Sequence, residues 1–165
     1  MIKKLVIPLV AVALFIVGVG ILLQKTSILP PNQTPPPSQS RPTATINGRD
    51  IAVELASTTE EKGKGLGGRD TLDTNSGMLF VFGTSNNPQT FWMKGMLIPL
   101  DLIWIKDGSI IKIDKNVPAP SVNTPDNKLK TYSAGLPIDY VLEVNGGFSD
   151  TNSILVGNSV TLSGI

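Results

Sequence analysis

The chain contains neither histidine nor cysteine among its 165 residues. Zinc, copper and haem sites of the usual kinds therefore lose their ligands. Disulfides, thiol redox chemistry and Ser-His-Asp or Cys-His catalysis are excluded within one chain. Carboxylates, lysines, tyrosines and hydroxyls remain as acids, bases or nucleophiles. We expect no metal and no cofactor, and the sequence assigns no catalytic residue.

Acidic side chains are absent from the first 44 residues. All thirteen lie beyond residue 44, together with ten of the fourteen basic side chains, so region 44–165 carries a net charge of −3. Phosphate binding needs concentrated positive charge, and no basic stripe is present. We expect no nucleic acid among the partners.

The amino-terminal segment 1–25 is predicted to be a membrane-spanning signal anchor. Lys3 and Lys4 precede 19 uncharged residues, Leu5 to Leu23, and Lys25 follows after Gln24. A helix of that length spans roughly 28 Å, about the thickness of a bilayer's hydrocarbon core. The positive-inside rule places the amino terminus in the cytoplasm and the rest of the chain outside, so we expect a single-pass protein of the cell membrane. Cleavage of a signal peptide near Gly20 is the alternative.

Segment 26–43 is predicted to be a disordered, proline-rich tether. Six of the thirteen prolines lie between residues 24 and 43, among Gln, Ser, Thr and Asn. Proline fixes φ and removes backbone donors, so this composition favours an extended spacer over a packed unit. The remaining residues, 44–165, are enough for one domain with its own core.

Local patterns in 44–165 predict mainly β structure. Asn47-Gly48 lies between alternating apolar flanks and predicts a two-residue hairpin. Ser57 or Thr58, followed by Glu60 or Glu61, predicts a capping box and a short helix. Further strands are predicted from these runs: Gly77 to Phe82, Phe91 to Met93, Met96 to Ile105, Ser109 to Ile113, Asp139 to Val144 and Ser159 to Leu162. We expect a single β-sandwich or partly closed barrel with one short helix.

The order of these segments resembles a known family. The successive motifs are KGLGGR (64–69), GMLFVF (77–82), FWMKGMLIPLDLIWI (91–105), DG (107–108), VLEVNGG (141–147) and VGNSV (156–160). Together they are similar to the domain of unknown function numbered 192, over roughly residues 44 to 163. The resemblance implies a small, mainly-β, sandwich-like domain, often exported or membrane-anchored. It implies no established activity or substrate.

The chain departs from the usual pattern of that family at three places. Gly67 stands where Met is common, Gly95-Met96 stand where Asn-Thr is common, and Asn158 stands where Asp is common. If the Asn-Thr pair serves a site in the family, this chain has lost two polar groups from it.

Asp101 is a carboxylate inside an apolar run, where burial without a partner is costly. Alternation places it on one face of its strand with Ile103, opposite Leu102 and Trp104. We expect it to lie near the end of the strand, to pair with Arg or Lys, or to accept hydrogen bonds from backbone N–H groups. Arg69 and Lys94 are the two candidate cations, one in the loop after the helix and one after the preceding strand, and the guanidinium of Arg69 can form a bidentate fork with a carboxylate.

Five residues form the candidate ligand-binding set: Arg69, Trp92, Lys94, Asp101 and Glu143. One interpretation makes them ion pairs that close one end of the domain, with the indole as a lid. Another makes them the wall of a polar cleft with an aromatic platform, suited to a sugar or a peptide end.

The function predicted from these patterns is binding rather than catalysis. We expect a membrane-tethered, extracytoplasmic domain that binds an envelope component, a glycan or peptide, or a partner protein. A small hydrolase acting on cell-wall glycan through Asp101 and Glu143 is the alternative, and it needs the two carboxylates to face one another. A scaffold for another membrane protein is a third interpretation, and it needs an exposed apolar patch.

Overall fold

A computed structural model describes residues 41–83 and 86–165. The predicted anchor, 1–25, and the tether up to residue 40 lie outside the described residues. Within the described ranges, no helix has the length and apolar character needed to cross a bilayer.

Nine strands and two short α-helices make up the described part of the chain. The strands are β1 Thr43–Ile46, β2 Arg49–Ala56, β3 Ser76–Val81, β4 Phe91–Trp92, β5 Leu100–Lys106, β6 Ser109–Val117, β7 Thr131–Tyr132, β8 Tyr140–Asn145 and β9 Val160–Ser163. The helices are α1 Thr59–Lys64 and α2 Phe148–Thr151, with a 3₁₀ turn at Asp126–Lys128.

Seven strands form one curled sheet in the order β6-β5-β8-β3-β2-β1-β9, and β4 and β7 form a separate two-stranded sheet. Neighbours in the large sheet are antiparallel except β2 and β3, which are parallel and joined by the crossover that contains α1. The two edge strands approach each other at one end, where Val160 N–H donates to the Gly108 carbonyl at 2.8 Å. The sheet is therefore a half-barrel. The prediction of a mainly β, partly closed barrel is confirmed, whereas the sandwich alternative and the single helix are not.

Two glycine-containing turns join neighbouring strands. Asn47 and Gly48 both have positive φ, at 52° and 72°, and Asp107 and Gly108 have φ of 49° and 68°. Positive φ at both central residues is the type I′ geometry, which matches the twist of a two-residue hairpin. The predicted hairpin at Asn47-Gly48 is confirmed.

The start of α1 is fixed by the predicted capping box. The Thr58 hydroxyl accepts the Glu61 N–H at 3.2 Å, and the Glu61 carboxylate accepts the Thr58 N–H at 2.9 Å. The helix ends at Gly65, where φ is +49° and a Cβ would lie 3.3 Å from the Phe80 ring. The last turn of α1 therefore lies directly against β3.

Side-chain alternation produces two apolar layers, one on each face of the curled sheet. On β5, Leu102 and Trp104 pack on the outer face, under the β4–β7 sheet. Ile103 and Ile105 pack on the concave face. Glu143 pairs with Leu102 in the β5–β8 register and so belongs to the outer face.

Several elements differ from the sequence predictions. The strand predicted from Met96 begins only at Leu100, because Met96 N–H bonds the Met93 carbonyl in a turn with Gly95 at φ +69°. Strand β7 lies where the sequence predicts no strand, because its two residues are too few to carry a periodic signal. Helix α2 follows Gly147, which provides no side-chain cap, so the sequence contains no capping motif that predicts this helix.

Candidate functional site

A pocket of about 340 Å³ opens between α1, β3 and β4 on the outer face of the sheet. Its apolar wall includes Leu66, Phe80, Phe91 and Met96. Glu143 from β8 also borders it, as a single carboxyl among these apolar groups. A cavity of this size, lined by both apolar and polar side chains, is typical of a site for a small ligand.

Glu143 is buried without a partner for its charge. The residue is 5% exposed, and its Oε2 atom makes no hydrogen bond. Desolvation raises the pKa of this carboxyl from 4.5 to about 8. The side chain is therefore mostly protonated at pH 7, where it can donate one hydrogen bond and accept another.

Aromatic packing places Phe91 inside the pocket and Trp92 at its rim. Phe91 pairs with Tyr132 across the β4–β7 sheet. Its ring meets Phe80 and Trp104 edge-on, with centroid separations of 4.8 and 5.4 Å. Trp92 faces the opposite way by strand alternation and is 48% exposed. The indole is available to a ligand that enters the pocket.

Three lysines line the same pocket: Lys62, Lys64 and Lys94. Lys94 Nζ lies 5.4 Å from the Trp92 ring centroid and 2.6 Å from an Asp126 carboxylate oxygen. Lys62 Nζ lies 4.6 Å from the Phe82 ring centroid. The four ion pairs among residues 41–83 and 86–165 include neither Lys62 nor Lys64. The pocket is therefore lined by positive charge, although the domain as a whole is acidic.

Arg69 does not pair with Asp101, so that prediction is wrong. Its guanidinium forms a bidentate pair with Glu54, with N–O distances of 2.5 and 2.7 Å. The same hydrogen bonds lower the pKa of Glu54 and raise the pKa of Arg69. The pair borders a different cavity, beside β2 and β3.

Asp101 is fully buried, and its carboxylate accepts hydrogen bonds from backbone N–H groups. Oδ1 accepts N–H groups from Asn116 at 2.7 Å and Gly147 at 2.9 Å, and Oδ2 accepts Ser149 N–H at 2.7 Å. Of the three alternatives for this residue, the structure shows the backbone one. Asp101 pairs with Val144 in the β5–β8 register and so lies on the concave face.

The structure brings three of the five candidate residues to one cavity. Trp92, Lys94 and Glu143 border the pocket, whereas Arg69 and Asp101 lie elsewhere. Asp101 and Glu143 occupy opposite faces of the sheet, so they do not face one another as a hydrolytic carboxylate pair must.

Sequence reasoning missed Lys62, Lys64 and Phe80 as pocket residues. The capping box predicts the helix and so the position of its last turn, which carries both lysines. Nothing local in the sequence indicates that this turn borders the same pocket as Glu143, because β8 is about 80 residues away.

No metal site is formed by the residues that the structure describes. Within 41–83 and 86–165 no three carboxylates lie close enough to hold an ion. The lone carboxyl and the lysines of the pocket are also unsuited to a divalent cation, which prefers several oxygen ligands.

The fold and pocket define a small half-barrel domain, and the sequence identifies its family. The family model DUF192, described as "Uncharacterized ACR", matches residues 42–162. The chain belongs to this family. No curated protein matches the chain.

Two solved structures are similar to this chain. One is a protein from Sinorhizobium meliloti 1021 described as a candidate transcription regulator, with 29% identity and a TM-score of 0.64 over 76% of this chain and 94% of that one. The other is a protein of unknown function from Novosphingobium aromaticivorans DSM 12444, with 31% identity and a TM-score of 0.63 over 72% of this chain and 83% of that one. Both support the half-barrel fold.

The buried Glu143 predicts a loss of stability as the pH rises. Burial raises the pKa of this group to about 8 in the folded domain, against 4.5 as its ordinary value. The folded state therefore binds more protons than the unfolded state between these values, so the free energy of unfolding falls as pH increases through this window. From pH 5.5 to 8 the loss should be roughly 3 kcal/mol.

Urea unfolding of the fragment 41–165 at several pH values measures this loss. Glu143→Gln is the matched control, because it has the same shape and cannot ionise, and its stability should be flat over the window. The carboxylates with lowered pKa, Glu54 and Glu61, titrate below the window. Equal pH dependence in both proteins would contradict the assignment.

Proposed function

We propose that the domain at 44–165 is a ligand-binding module that residues 1–43 hold outside the membrane. The observation that carries the proposal is the unpartnered carboxyl of Glu143 in an apolar pocket open to solvent. A buried polar group without a partner costs about 1–3 kcal/mol. A ligand that forms hydrogen bonds with this carboxyl would remove that penalty. The position therefore favours ligand binding.

Binding explains the pocket better than hydrolysis does. Hydrolysis of a glycoside uses two carboxyl groups about 5–10 Å apart on either side of the bond. In the pocket Glu143 is the only carboxyl among the described lining residues, and Asp101 is committed to three backbone donors on the other face.

The pocket is suited to an envelope glycan or peptide. The half-exposed Trp92 offers a flat face on which a sugar ring or an aromatic side chain can stack. Thr59 and Thr90 line the same space and supply hydroxyls for hydroxyl or amide partners. The family relationship supports the fold but does not identify a ligand.

Tryptophan fluorescence tests the pocket directly. Trp92 is at the rim, whereas Trp104 is fully buried and donates to Asp114 at 2.8 Å. Addition of an N-acetylglucosamine trimer or of an acetylated tripeptide with an aromatic last residue should shift the emission of Trp92 in a saturable manner, with Kd in the micromolar to millimolar range.

Trp92→Phe is the matched control, because it leaves Trp104 as the reporter of the fold. The ligand-dependent shift should disappear in this variant, while the baseline emission of Trp104 remains. No saturable shift with either probe up to about 10 mM would contradict the proposal.

Protease protection tests the proposed location of the domain. In intact cells, protease added from outside should digest region 44–165 or cut the tether, because the positive-inside rule places the domain outside. Resistance until the membrane is breached would contradict this orientation. Release of a soluble domain that begins near residue 21 would instead show cleavage of the signal peptide.

A further inference from the structure

The pocket presents two different kinds of polar group, in two different places. Glu143 is buried and borders the pocket from the sheet. Lys64 and Lys94 are exposed, and Lys62 is half-buried, so their ammonium groups lie toward solvent. Desolvation alone accounts for the raised pKa of Glu143, with no contribution from a lysine. No ion pair within 41–83 and 86–165 joins a lysine to this carboxyl.

The charge of the lining favours an anionic ligand. The three lysines line the pocket, and Asp126 forms an ion pair only with Lys94. Carboxylates outside the lining compensate part of this charge, since Glu61 interacts with Lys62 and Glu54 interacts with Lys64. The lining itself nevertheless carries three ammonium groups and only one carboxyl, which is buried, in a domain whose net charge is −3.

The side of the pocket formed by the sheet, where Glu143 lies, favours an uncharged hydroxyl of the ligand. The strands beside β8 contribute Met78, Phe80 and Leu102 to this face, so no other titratable group faces Glu143 from them. A neutral carboxyl both donates and accepts, which matches a hydroxyl that does the same. The lining also includes Phe80, Phe91 and, at the rim, Trp92, and these side chains suit an aromatic ring.

We infer that the ligand is a hydroxyaryl carboxylate, with its carboxylate at the lysines, its ring between the aromatic walls and its hydroxyl on Glu143. A peptide that ends in tyrosine and a free phenolic acid share this chemistry. The inference rests on the proposed function and names the ligand class for the same pocket.

A matched series of small probes separates the two contacts. N-acetyltyrosine carries both groups, N-acetylphenylalanine lacks the hydroxyl, N-acetyltyrosinamide lacks the negative charge, and tyramine replaces it with a positive charge. Calorimetric titration of the fragment 41–165 at pH 7 should show at least tenfold weaker binding without the hydroxyl, because Glu143 is then left unpaired. The neutral amide should bind about fivefold more weakly, and tyramine should bind most weakly.

Substitutions of the pocket residues show which contact is responsible for each loss of affinity. In Glu143→Leu the preference for N-acetyltyrosine over N-acetylphenylalanine should fall to about one, whereas Glu143→Gln should keep most of it. Lys62→Ala with Lys64→Ala should reduce the preference for the acid over its amide and leave the hydroxyl preference unchanged. Urea unfolding of each variant checks that it folds.

The outcomes distinguish this inference from the proposed function. Tyramine binding as tightly as N-acetyltyrosine, or equal affinities with and without the hydroxyl, would overturn the inference and leave a binding pocket in place. Failure of all four probes, together with the glycan and tripeptide, would overturn both. Comparison of acetyl-Ala-Tyr with 4-hydroxyphenylpropionate shows whether a peptide end or a free acid is preferred.

Discussion

The carboxylate of Asp101 is the constraint on which this end of the half-barrel depends. It joins β5 to the end of β6 through Asn116 and to the segment that starts α2 through Gly147 and Ser149. Hydrogen bonds to a charged group contribute about 1.5–3 kcal/mol each, and the three together offset the cost of burying the charge. A slip of β5 by one residue would move Asp101 to the other face and break all three bonds. The carboxylate thus fixes the register of β5.

Fixing β5 also determines the environment of Glu143. With Asp101 on the concave face, Leu102 faces outward beside Glu143, and Trp104 lies under Phe91. The two buried carboxyl groups therefore have opposite hydrogen-bonding environments. One is satisfied by backbone donors, whereas the other is left without a partner in an apolar pocket. Because native structures pair nearly all buried polar groups, the second position is the one that needs a functional explanation.

Much of this fold follows from local physical chemistry. The Asn47-Gly48 turn needs residues that tolerate positive φ, and the α1 capping box needs a hydroxyl and a carboxylate three residues apart. Alternation along β5 correctly separates Leu102 from Ile103. These features involve neighbours in the chain, so the sequence predicts them.

The candidate site is predicted only in part, because its contacts join distant segments. The sequence predicts Asp101 as the partner of Arg69, whereas the structure pairs Arg69 with Glu54 on β2, 15 residues earlier in the chain. Trp92, Lys94 and Glu143 border one cavity, together with Lys62 and Phe80, which the sequence does not indicate as site residues. The position of α1 beside the pocket that Glu143 borders depends on the order of strands in the sheet, and no motif in the sequence encodes that order.

The central claim is that Glu143 is a neutral carboxyl at the base of an open pocket. The most direct measurement is an NMR titration of the fragment 41–165 labelled with ¹³C at the glutamate carboxyl carbons, with Glu143→Gln used to assign the resonance. This carboxyl should titrate with a midpoint at about 8. A midpoint near the ordinary value of 4.5 would contradict it, since the side chain would then be charged and solvated at pH 7.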